Sequence, residues 1–336
     1  MRQLSDMQIY QENIKFKKTH AECLLRQMAV YGSINEAQYG SIIWEDTKLE
    51  SGKTKRYTYC YDDYEGGDKG AHTMTADILA DPDFPALEEL IIGDWGDTWE
   101  DSCQAILDGI VEHADRFSHI RSLFIADMDY EECEVSWIMQ GNYSKIWAAL
   151  PNLRSLTIKG ATELELGEIC HEGLEELTII CGGLGTDVIS SMRDAKLPNL
   201  KKLLLYIGAD DYGFDGNADT IKELLDQADF PKLTYLGIAD SEIQDEVTKA
   251  VLESKFIGRI ETLDLSLGTL TDKGGQLLLE EIPKWPNIKN LDIHYNYLSD
   301  QMADKLEELP LTVDASERNE PDVYDGDIYM NAMLTE

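Results

Sequence analysis

The chain has 336 residues, 43% of them hydrophobic, and carries 65 acidic against 29 basic side chains, a formal charge of −36. That apolar content excludes a chain disordered throughout, and no apolar run approaches the roughly 18 residues of a membrane-spanning helix. The charge excludes a sequence-independent grip on nucleic-acid phosphates, which needs clustered Lys and Arg, and suits a basic protein partner drawn in by the field.

Residues 1–80 show no repeat. The opening "MRQLSDMQIYQENIKFKKTH" lacks the apolar core of a secretory signal. Cys23, Cys60, Cys103, Cys133, Cys170 and Cys181 are scattered without a C-x-x-C pair, the pattern of reduced thiols in a cytoplasm. A helix is predicted within 11–33, and "YTYCYDDYEGG" (57–67) reads as a strand ending in a turn. Residues 1–80 are therefore expected to form a non-repeat cap.

From Leu87 a single register recurs. The pattern L-x-x-L-x-L stands at 87–92, 120–125, 153–158, 174–179, 200–205, 233–238, 260–265 and 288–293. Each is a short strand with its apolar positions facing inward, and no such unit buries its face alone, so successive units must stack. The ladder Leu90, Leu123, Leu156, Leu177, Leu203, Leu236, Leu263 and Leu291 is predicted to line one parallel sheet. Asn296 falls where the eighth repeat needs a turn asparagine. Helices are predicted between strands, with Asp219, Asp272 and Asp300 as caps. The step from Leu153 to Leu174 is too short for a full helix. The prediction is an α/β solenoid over 81–316, with the parallel sheet on its concave face and helices on its convex face. It has about eight repeats and a truncated ninth strand at 309–316, followed by an acidic cover or tail at 317–336.

Long steps imply loops inserted after strands: "GDWGDTWEDS" (93–102), "ADMDYEECEVSWIMQGNY" (126–143) and "IGADDYGFDGNAD" (207–219). They bring Asp94, Trp95, Trp99 and Tyr212 to one predicted rim, where Trp and Tyr in an acidic frame suit a basic partner. Trp137, beside Val135 and Ile138, is expected to fold back on the core. On the strands, Asp264 and Asp292 occupy equivalent outward positions, and His294 lies in the next outward row with Ser266 and Tyr206. Asp240 and Tyr295 complete the predicted contact surface. "DGNAD" (215–219) opens like a calcium loop, but Thr220 and Asp226 stand where Gly and Glu are required. There is no G-x-S-x-G, no phosphate loop and no H-E-x-x-H. Adjacent Cys170 and His171 need not face each other. No catalytic residue, cofactor or metal is predicted.

Over about 84–315 the repeats resemble the ribonuclease-inhibitor type of leucine-rich repeat. "IGDWGDTWED", "CEVSWIMQGNYS", "DDYGFDG", "ADSEIQDEV", "LDLSLGTLTDKG" and "LDIHYNYLSD" further resemble an uncharacterised family of bacterial cytoplasmic leucine-rich-repeat proteins, across most of 60–336. The resemblance implies a repeat protein and supplies no reaction. The expected function is a non-enzymatic scaffold holding a basic protein. The alternative is an enzyme or small-molecule-binding accessory with a pocket under the inserted loops.

Overall fold

The computed structural model describes residues 53–59, 67–130, 132–324 and 326–335. The helix predicted within 11–33, most of the cap, Cys23 and Cys60 lie outside the described residues. Two compact units follow one another, divided between Glu165 and Leu166.

The first unit holds strands β1 (Thr54–Tyr57), β2 (Glu89–Ile92), β3 (Ser122–Ile125) and β4 (Ser155–Lys159), with helices α1 (Ala71–Ala80), α2 (Gln104–Glu112), α3 (Ala114–Phe117) and α4 (Ile146–Ala149) between them. The strands pair in parallel in chain order, placing Lys55, Leu90, Leu123 and Leu156 side by side. β1 extends the predicted sheet by one strand. Its ladder position carries Lys55, which binds Asp81 and is half exposed, so no leucine pattern announces it.

The second unit repeats the scheme with β5 (Glu176–Ile180), β6 (Lys202–Gly208), β7 (Tyr235–Ser241), β8 (Thr262–Asp264), β9 (Asn290–Asp292) and β10 (Thr312–Asp314). Leu177, Leu203, Leu236, Leu263, Leu291 and Val313 lie in register. All eight predicted ladder leucines are buried. Their period-two spacing puts each on the helix-covered face of its strand. Helices α5 (Thr186–Arg193), α6 (Ala218–Gln227), α7 (Gln244–Leu252), α8 (Asp272–Glu281) and α9 (Asp300–Glu307) pack beside one another in the same order. In α6, Ile221, Leu224 and Leu225 form the buried face. Between β4 and β5 the chain makes no helix, as the short step requires.

The helix starts correct the expected caps. Asn217 caps α6, accepting from the N–H groups of Asp219 and Thr220, while Thr271 caps α8 and Ser299 caps α9. The aspartates stand inside the first turn, where their charge suits the helix dipole. Asp272 also accepts the Ser299 N–H and hydroxyl, tying one repeat to the next. Asn296 acts as predicted: its side-chain amide donates to the carbonyls of Leu265 and Ile293 and accepts the Leu270 N–H.

Candidate functional site

In the second unit the predicted acidic positions form a ladder at the strand ends. Asp264, Asp292 and Asp314 are neighbours in register. Each carboxylate turns back on the residue two positions further along. Asp264 accepts from Ser266 N and, at 2.6 Å, from its hydroxyl; Asp314 accepts the same pair from Ser316; Asp292 lies 2.5 Å from His294 Nδ1. Such side-chain-to-backbone bonds end a strand by satisfying an N–H that has left the ladder. The Tyr235 hydroxyl donates to Asp264 at 2.7 Å. Burial, then the Asp264 charge, raise the Tyr235 pKa well above its usual value, so the phenol keeps its proton. Gly237 lets these groups meet, because a Cβ there would lie 2.3 Å from Leu204 Cδ1 and 3.3 Å from Asp264 Cβ.

The outward positions are consequently not an open surface. Asp264, Asp292 and His294 are each 0% exposed, and Tyr206, Tyr295 and Asp240 are also buried. The expectation that the fold leaves them exposed is corrected; Asp264 and Asp292 close on their own strand-end turns rather than extending to solvent. Asp240 sits at φ +55° and accepts the N–H groups of Met333 and Leu334 at 2.8 and 2.9 Å, fastening the C-terminal segment with Leu334 fully buried. Tyr295, at φ +54°, packs edge-on against the His294 ring. Tyr212 is half buried, its carbonyl lying against Gly183, where a Cβ would come within 2.3 Å. Asp292, His294 and Asp314 each bring one potential ligand atom within 4.8 Å of the others.

In the first unit the loops after β2 and β3 are bonded together. Met139 N–H donates to Thr98 and Cys103 N–H to Met139. Trp95 is 0% exposed, its indole N–H donating to Asp101, and Asp94 is buried, accepting the Gly96 N–H. These two are corrected from contact residues to staples of the loop. Trp99 remains exposed at 45%, and Trp137, against expectation, is exposed at 60%. Val135 and Ile138 on either side are fully buried and hold the short turn that turns the indole outward.

A polar cluster that sequence reasoning missed lies beneath this rim. Arg56, 4% exposed, donates to the Asp127 carboxylate and carbonyl and to both oxygens of Glu132. A Cβ at Gly93 would meet its guanidinium at 2.6 Å. Lys159, fully buried, donates to the Met128 carbonyl. Asp129 and Glu132 each accept the other's N–H, while Asp129 Oδ2 is buried with no hydrogen-bond partner among the described residues. The only signal in the sequence is the acidic run of the 126–143 insertion, since its arginine lies about 70 residues away.

Burial pushes the Asp94 and Asp129 carboxyls up to about 7 and Asp127 up to about 6, with the Glu132 charge adding to each shift. A folded-state pKa raised above the unfolded value gives stability that is full below about pH 4 and lost as pH climbs through the folded pKa. The melting temperature is therefore expected to fall by several degrees between pH 5.5 and 8, and Asp94→Asn with Asp129→Asn should flatten that slope. Thermal scans across this range check it; an unchanged slope in the double variant overturns it.

The strand–helix repeat, the leucine ladder and the turn asparagine define an α/β leucine-rich-repeat protein. A protein of Bacteroides fragilis with a known crystal structure is 40% identical to this chain, covering 84% of it and 77% of the other, with a TM-score of 0.77. The chain belongs to the family of that protein. A Listeria monocytogenes internalin (15% identity, 72% and 64% covered, TM-score 0.33) and the yeast Rad7–Elc1 complex (12%, 91% and 95%, 0.31) also match, too distantly to bear on function. No protein-family model and no curated protein matches the sequence. No helix among the described residues is long and apolar enough to cross a membrane.

Proposed function

We propose that the protein is a non-enzymatic scaffold that binds a basic protein through the loop rim of its first unit. The observation that carries this reading is the exposure of Trp99, Tyr130 and Trp137, at 45%, 37% and 60%, on loops otherwise bonded and buried. Large aromatic side chains held out on a stiff support are what interfaces use as anchors. Exposed Asp97, Glu100 and Asp101 stand beside them and favour cationic side chains. A non-enzymatic role is supported by the strand-end carboxylates, which serve turns, and by the Ser266 and Ser316 hydroxyls, which donate to their own aspartates. A cytoplasmic setting is supported by the scattered spacing of the six cysteines, which contains no C-x-x-C pair.

Capture with the intact protein from native cells, followed by mass spectrometry, is expected to enrich a protein with a basic surface. Replacing Trp99 and Trp137 by Ala should weaken that complex at least 30-fold, since interface tryptophans commonly contribute about 2 kcal/mol or more. A partner bound equally by the double variant, or none at all, sinks the reading.

A further inference from the structure

The C-terminal region carries a second surface, in the other unit. β11 (Asp322–Tyr324) and β12 (Asp327–Tyr329) form a two-stranded antiparallel sheet of their own. Gly326, at φ +90°, takes the left-handed conformation that a tight hairpin connection uses. Val323 stands opposite Ile328, Tyr324 opposite Asp327, and Asp322 opposite Tyr329. Opposed residues share a face, so one face presents Val323 and Ile328, the other two tyrosines and two aspartates.

Among the described residues neither face is covered. Val323, Tyr324, Ile328 and Tyr329 are 71%, 70%, 67% and 48% exposed. A two-stranded hairpin is marginal in water by itself, and solvent-facing apolar clusters mark interaction sites. This hairpin is nonetheless held at both ends. Before it, Asn319 bonds the carbonyls of Asn296 and Tyr295, and Arg318 pairs with Asp300. After it, Asn331 N–H donates to the Tyr297 hydroxyl and Leu334 is anchored by Asp240. The chain is secured on either side of a segment that buries almost nothing.

We infer that this hairpin docks a basic, extended segment of a partner protein, which joins it as a third strand. Strand addition uses the outer edge of a sheet for main-chain hydrogen bonds and its faces for alternate side chains. Among the described residues no further strand pairs with β11 or β12. The occupant's charge follows from the surface: Glu317, Glu320, Asp322 and Asp327 are exposed, while the nearby Arg318 is committed to Asp300. Alternating Arg or Lys would reach these carboxylates and the tyrosine faces, and the intervening apolar residues would cover Val323 and Ile328. A second copy of this chain fits poorly, because it brings the same carboxylates together on molecules of charge −36. The inference shares with the rim proposal only the sign of the partner's charge.

A fluorescent peptide alternating arginine and valine, titrated into the intact protein and followed by anisotropy, tests this. Saturable binding is expected, weakening as salt rises. Tyr324→Ser with Ile328→Ser should reduce affinity at least tenfold, whereas Trp99→Ala with Trp137→Ala should leave it unchanged. That contrast separates failure of this inference from failure of the rim proposal. Should the serine variant lower the melting temperature, the wild-type comparison decides: a glutamate–valine peptide must not bind. No saturable binding, equal binding of both peptides, or equal affinity in a folded serine variant overturns the inference. A concentration-dependent dimer abolished by the serine substitutions would instead assign the hairpin to a second copy, and also overturns it.

Discussion

Replacing Arg56 by Ala is expected to destabilise the protein by about 3–5 kcal/mol, the cost of breaking a buried ion pair by removing one partner. The guanidinium is almost fully buried and bonds two carboxylates from the insertion after β3. Without it, Asp127 and Glu132 would keep their like-charge repulsion with their nearest cation gone. The Asp127 carboxyl, already raised to about 6 by burial, would rise further as the Arg56 charge is lost. Loss of stability should therefore be largest above pH 7, where the Asp127 carboxyl must ionise, and smaller at pH 5. Equilibrium urea unfolding at the two pH values measures this. A triple variant, Arg56→Met with Asp127→Asn and Glu132→Gln, should recover much of the loss, because it removes the stranded charges as well. A single-variant cost below about 1 kcal/mol at both pH values would show that the arginine is not desolvated in solution.

The leucine ladder was legible because one period, two residues per strand step, decides every inward position at once. Leu90 through Leu291 obey it, and so does the Asn296 turn. β1 was hidden because its ladder position, in register with Leu90, carries Lys55 and not an apolar residue. The hairpin at 322–329 carried a readable signal, the Asp325–Gly326 dipeptide between β-favouring residues, obscured by the acidic composition around it. The outward residues were misread for a different reason. Period alone says that Asp264 and Asp292 face away from the leucines, but not that a side chain one carbon long will close on its own strand-end turn. The Arg56 cluster was out of reach, since its members meet only after two repeats have stacked. Trp95 and Trp137 show the same limit within single loops. Trp95 folds in because its N–H finds the Asp101 carbonyl, and Trp137 is turned out because Val135 and Ile138 claim the interior.

Leu263→Ala is expected to cost about 2–5 kcal/mol, the range for deleting a buried leucine side chain. Leu263 is 0% exposed and stands between Leu236 and Leu291 in the register of β7, β8 and β9. The strands on either side are fixed by their own hydrogen bonds, so the ladder cannot close over the missing atoms and a cavity persists. In a stacked array each repeat is stabilised chiefly by its neighbours, so the loss should fall on the β7–β8–β9 contacts first. Hydrogen exchange should quicken at the amides of β8 and β9 before it does in β5. Glu261→Ala is the control two positions away: its side chain is exposed and pairs with Lys289 in solvent, so its effect should stay within about 0.5 kcal/mol. Urea unfolding of both variants with unchanged slopes makes the comparison direct. If Leu263→Ala costs no more than Glu261→Ala, the ladder does not carry the stability that its burial implies, and the stacking account of the second unit fails with it.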